Sequence, residues 1–107
     1  NTSEIKQIEE VVKAIKQFVS KNWDEIKKYC IGKSDERLHS VRIIPYAYIN
    51  RRLSAMSAFR NDKQGATIGL KRSIQTLIDT GKIQEVNKEQ LKQFNTNQKA
   101  YVISDFT

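Results

Sequence analysis

At 107 residues, 38% of them apolar and 29% charged, the chain has the size and composition of one globular domain with one modest core, which excludes a disordered segment and a two-core protein. No apolar run is long enough for a transmembrane helix or a secretory signal, so no membrane partner is expected. The single cysteine, Cys30, excludes an internal disulfide and favours a reducing, cytoplasmic setting, while the net charge of +7 and a pI near 9.6 point to a polyanionic partner.

Residues 3–20, SEIKQIEEVVKAIKQFVS, predict a first helix. Ile5, Ile8, Val12, Ile15 and Val19 recur at steps of three and four, with Lys, Gln and Glu opposite. Thr2 or Ser3 can cap its start. In NWDEIKKYCIG, Asn22 and Glu25 have capping-box spacing and Gly32 reads as a stop. This gives two short helices, or one long helix broken near Asn22. Residues 33–40, KSDERLHS, read as a polar connection. VRII, residues 41–44, is a short β-branched run ended by Pro45, which suits the first turn of a helix. PYAYINRRLSAMSAF then reads as that helix, with Tyr46, Ile49, Leu53, Met56 and Phe59 on one face and Arg51 and Arg52 off it. RNDKQG, residues 60–65, is a turn by composition.

Residues 66–80 predict the next helix. Leu70, Ile74, Leu77 and Ile78 face the core. At about 100° per residue, Arg72 falls at the centre of the opposite face, with Gly69, Gln75, Thr76 and Asp79 around it and Lys71 on the flank. Gly81 ends this helix. KIQEV is a strand carrying Ile83 and Val86. Residues 87–98 form a polar loop containing Leu91 and Phe94, in which Asn87 and Gln90 can cap a single helical turn. KAYVIS, residues 99–104, is a second strand, with Tyr101 and Ile103 on one face and Val102 on the other. Between residues 42 and 72, the bases Arg42, Arg51, Arg52, Arg60, Lys63, Lys71 and Arg72 face only one acid, Asp62. Concentrated charge of this kind suits a nucleic acid, although a solvated basic surface has the same composition.

This order resembles the winged-helix family of helix-turn-helix domains. The likeness rests on LKRSIQTLIDTGKIQEV followed by KAYVI and covers residues 40–104. Leu77, Ile78, Gly81 and Ile83 take the places of the apolar pair, the glycine and the first wing-strand residue that follow one another in that family. The resemblance implies an α+β, mainly α fold: a single domain, 1–107, with an N-terminal helical segment over 1–32 and a two- to three-stranded antiparallel wing. The connection RNDKQG and the wing loop are both longer than the simple family pattern.

The resemblance also implies DNA binding, with duplex DNA as the expected ligand and helix 66–80 in the major groove. Thr67 and Gly69 are small enough for close approach, and Lys71, Arg72 and Gln75 are donors toward bases or nearby phosphates. Arg51, Arg52, Arg60 and Lys63 would contact phosphates. The wing loop offers Lys92, Asn95, Asn97 and Lys99, together with Lys88 and Gln98. Single-stranded nucleic acid is a rival ligand through Tyr46, Tyr48, Phe94, Tyr101 or Phe106, of which Tyr48 fits the core periodicity least. A chain starting at Asn1 raises the expectation of a module from a longer protein, such as a DNA replication or mobile-element protein. The alternatives are a protein–protein winged helix or a dimeric transcriptional regulator, joined to another domain or to a second copy through residues 3–20.

Catalysis by this domain is not expected. There is no phosphate-binding glycine loop, no G-x-S-x-G and no H-E-x-x-H, and Asp24/Glu25 and Asp35/Glu36 read as surface or capping residues. One cysteine and one histidine make a zinc centre or a thiol–imidazole pair unexpected, so Cys30 reads as a half-buried thiol and His39 as a surface residue. No cofactor and no metal are anticipated.

Overall fold

The computed structural model describes residues 2–30 and 32–104. It is mainly helical with a small antiparallel sheet. Helix α1 spans Thr2–Ser20, and α2, Trp23–Ile26, runs into a 3-10 turn, Lys27–Tyr29. Helix α3 is Lys33–Ser40, β1 is Ile43–Pro45, α4 is Tyr46–Leu53 and α5 is Ser57–Arg60. Then come α6, Ala66–Asp79, β2, Ile83–Glu85, α7, Lys88–Gln93, and β3, Ala100–Ile103. No helix among the described residues is long and apolar enough to cross a membrane.

Strand β3 lies at the centre of the sheet, in the order β1-β3-β2, with both neighbours antiparallel to it. Ile44 pairs with Tyr101, and Ile83 pairs with Ile103. The strand alternation divides two cores. Tyr101 and Ile103 join the main cluster with Ile44 and Ile83. Ala100 and Val102 turn to the other face, where a second cluster holds Leu38, Ile43, Val86 and Leu91. Pro45 ends β1 and leads into α4 in extended conformation, so its missing N–H falls at the end of an edge strand.

Helix α1 buries a different face from the expected stripe. Gln7, Val11, Ala14, Ile15 and Phe18 point inward, whereas Ile8, Val12 and Val19 are half-buried and Ile5 is exposed. Two apolar stripes compete on this helix. The one that wins buries the large Phe18 ring against Tyr48, 4.9 Å between centroids, and brings the small Ala14 to the contact. The stretch expected as a polar connection is α3. Its single large apolar side chain, Leu38, is fully buried, and the Asp35 carboxylate closes its start by accepting from Gly32 N at 3.2 Å. His39 is not on the surface either. It is half-buried, with Nε2 3.0 Å from the carbonyls of Phe18 and Lys21 at the end of α1.

The helix expected over 45–59 is broken between α4 and α5. A continuous helix would aim Phe59 about 120° away from Leu53. The break at Met56, whose backbone is extended, returns Phe59 to the core and leaves Met56 exposed. Gly81, with φ of 77°, ends α6 as expected, and Lys82 N donates back to Leu77 O at 2.9 Å. Asn87 caps α7 through Gln90 N at 2.9 Å as expected, and the helix runs for six residues, somewhat longer than the single turn expected there. Leu91 is buried in the second core, and Gln98 Nε2 donates to the carboxylate of Asp35.

Candidate nucleic-acid interface

Helix α6 carries the residues expected to meet DNA. Its interior is set by Leu70, Ser73, Ile74 and Leu77, and Ser73 satisfies its hydroxyl on Gly69 O at 3.0 Å. The outward stripe is Thr67, Ile68, Lys71 and Gln75, all exposed, with no acid before Asp79. Lys71 has no carboxylate partner among the described residues. Gln75 Nε2 donates to Asp79 Oδ1 at 2.8 Å, one turn on, which holds its amide along the helix.

Two expected members of this face lie elsewhere. Arg72 turns into the junction between α6, α1 and the turn after α5, not into the centre of the exposed side. Its Nη2 donates to Asp62 Oδ2 at 2.6 Å, and its Nη1 lies 3.5 Å from Glu4 Oε1. Gly69 is buried for the same reason. A Cβ there would lie 3.0 Å from both Asp62 Oδ2 and Gln7 Nε2, so its small size admits this internal cluster rather than a nucleic acid. Gln7 Nε2 completes the junction, donating to Asp62 Oδ2 at 2.8 Å and to Ala58 O at 3.0 Å. Asp62 also accepts from Gln64 N at 2.8 Å. Its carboxyl is held below the usual carboxylate range, first by Gln7 and the Gln64 N–H, then by Arg72, against the opposing effect of desolvation.

Among the expected phosphate ligands, Arg60, at the end of α5, and Lys63, in the following turn, are exposed. Arg51 is exposed on the side of α4 that faces Cys30, whose thiolate its charge favours. Arg52 is withdrawn. It donates to Gln17 and to Tyr48 Oη and stacks over the Tyr29 ring at 5.4 Å, so it braces α1 against α4. In the segment between β2 and β3, Lys92, Asn95, Asn97 and Lys99 are all exposed, and Asn95 turns the chain with φ of 56°. Asp62, which fixes the start of α6 relative to α1, reads in the sequence only as a turn residue.

The aromatics are placed against single-strand stacking. Tyr48, expected as the freest, is fully buried between Phe18 and Tyr29. Tyr101 is buried, and Tyr46 and Phe94 are half-buried against the two cores. Phe106 lies outside the described residues. No aromatic among the described residues is exposed. Desolvation pushes the Cys30 thiol up to about 12, the reverse of what a nucleophile needs. No protein-family model matches the chain, and no curated protein or solved structure matches it significantly.

Proposed function

We propose that this chain is a winged helix-turn-helix that binds duplex DNA, with the exposed face of α6 in the major groove and the segment 87–99 against the flanking backbone. The observation that carries the reading is the outward stripe of α6, Thr67, Ile68, Lys71 and Gln75, which carries one base and two polar side chains and no acid over two turns. Its support is the order of elements: a helix, an edge strand, the three helices α4, α5 and α6 with a turn before the last, then two strands that flank α7, the last of which fills the centre of the sheet. Arg60, Lys63 and the exposed wing residues supply positive charge and donors on either side of α6 in sequence. Arg52, Arg72 and Gly69 are not part of the proposed interface.

The test is a fluorescence-anisotropy titration with random-sequence duplex and with single strand, each at two salt concentrations. Duplex binding that weakens steeply with salt supports the reading, since each neutralised phosphate adds about 0.9 to the slope of log affinity against log salt. A preference for single strand, or no binding at low salt, overturns it. A second reading, docking of another protein on α1, has its own observation: Ile5 is 57% exposed and Ile8 and Val12 are half-buried beside it. Absence of DNA binding would move that reading to the front.

A further inference from the structure

The proposed contact helix has lost its expected arginine. Arg or Lys on guanine O6 and N7 is the commonest specific contact in the major groove, and Arg does it through a planar fork. On α6 that fork is spent on Asp62 and Glu4. What remains outward is Thr67, Ile68, Lys71 and Gln75. An apolar side chain 46% exposed is unusual in a helix whose other large apolar residues are buried or half-buried, and Ile68 stands at the leading turn, where a groove-bound helix approaches the bases. Apolar groups of this kind meet the C5-methyl of thymine, the one apolar feature on the major-groove edge. Gln is the residue that pairs with adenine, accepting from N6 and donating to N7.

Gln75 is also prepared for that role. Its Nε2 spends one hydrogen on Asp79 Oδ1, which leaves the second hydrogen and the Oε1 acceptor for a base. Ile68 and Gln75 lie within about 20° of each other around the helix. They are separated by about 10.5 Å along its axis, far enough for the two side chains to reach different base pairs. We propose that α6 selects A·T base pairs, with Gln75 on an adenine, Ile68 on the methyl of a thymine in a different base pair, and Lys71 between them on the backbone. Asp79 is a positioning residue that orients the Gln75 amide. The inference rests on the duplex-binding reading and adds its sequence preference.

The experiment is a binding selection with the full chain on a pool of duplexes carrying a randomised central stretch, followed by sequencing of the retained fraction. The selected duplex is then titrated with uracil in place of thymine, which removes only the methyl, and with 7-deazaadenine in place of adenine, which removes only N7. The expected result is enrichment of A·T columns, with a loss of about fivefold or more in affinity for the 7-deazaadenine duplex. The uracil duplex should bind more weakly too. Gln75→Ala should become insensitive to 7-deazaadenine and Ile68→Ala to uracil, each with an unchanged circular dichroism spectrum. Flat or G·C-rich columns from a pool that is nonetheless retained overturn the A·T preference and leave the duplex reading standing. Enrichment that survives in both variants overturns the assignment to α6. A pool that is not retained at all, even at low salt, overturns the duplex reading itself.

Discussion

Arg72 and Asp62 form an ion pair of 2.6 Å across the turn that joins α5 to α6. Asp62 is almost wholly covered there, with 8% of its side chain exposed, and Gln7 of α1 holds the same oxygen. Helix α1, the turn after α5 and helix α6 are therefore locked at one carboxylate. Arg72→Ala should lower the melting temperature by several degrees, because it leaves a covered carboxylate without its cation. The same variant should bind DNA about as well as the parent at a temperature where both are folded. Thermal melts and a DNA titration of the variant check the two halves separately.

The same carboxylate gives an acid dependence. Its pKa in the folded chain is held below the ordinary value of about 4, so the ionised form stabilises the fold above that pH. The contribution is lost as pH falls through the depressed folded value. Asp62→Asn should therefore be clearly less stable than the parent at pH 7, and the gap should narrow from pH 5 to pH 2. Urea melts of both proteins across this range are the measurement, and a gap that stays constant would show that Asp62 acts through shape rather than charge.

Gly69→Ala tests close packing against helix preference. Alanine in a helix interior is worth about 1 kcal/mol over glycine. Here the added methyl would meet Asp62 Oδ2 and Gln7 Nε2 at 3.0 Å, and both atoms are held by further bonds. Crowding a filled site costs about 1–3 kcal/mol, so the expected outcome is a net loss of about 1 kcal/mol in denaturant melts. A gain in stability would mean that the junction can open without cost.

Lys71→Ala should leave stability unchanged and weaken duplex binding. As one phosphate contact, it should reduce the slope of log affinity against log salt by about one. Salt-series anisotropy reads this directly. Arg52→Ala should do the reverse, lowering stability through the lost contacts to Gln17, Tyr48 and Tyr29 while the salt slope stays the same.

Cys30 should resist alkylation. With its pKa raised by burial from 9.0 to about 12, the thiolate is scarce at pH 8. Reaction with iodoacetamide should be slower than that of a free thiol by at least about a hundredfold, and denaturant should restore the ordinary rate. Rapid labelling of the native chain would contradict the placement of this residue.

Features written by local pattern were legible in the sequence. The α6 core face, the Gly81 stop, the Asn87 cap and the alternation of β3 each depend on neighbours within a turn or a strand. Helix α3 was not, because eight residues with one large apolar side chain, Leu38, carry no period. The face of α1 was ambiguous for the opposite reason, since two stripes were available and the partner surface chose between them. The expected site divides along the same line. Lys71, Gln75 and Thr67 are exposed on α6, which helix geometry alone was enough to expect, although it put Lys71 on the flank. Arg72, Gly69 and Arg52 were not, because the groups that claim them, Glu4, Gln7, Asp62 and Gln17, come from α1 and from a turn, and nothing in the local spacing announces them.

Helix α7 changes what kind of object the segment between β2 and β3 is. Leu91 sits in the second core beside Leu38, and Gln98 holds the start of α3. The segment from Asn87 to Lys99 is thus fastened at two points to the body of the domain. Its distance from α6 is settled when the chain folds, not when a ligand arrives. A partner surface that fits both parts gains from their fixed separation, with little ordering entropy to lose, and one of another width meets a rigid gauge. Loosening that gauge, by cutting Leu91 to alanine, would trade selectivity for reach.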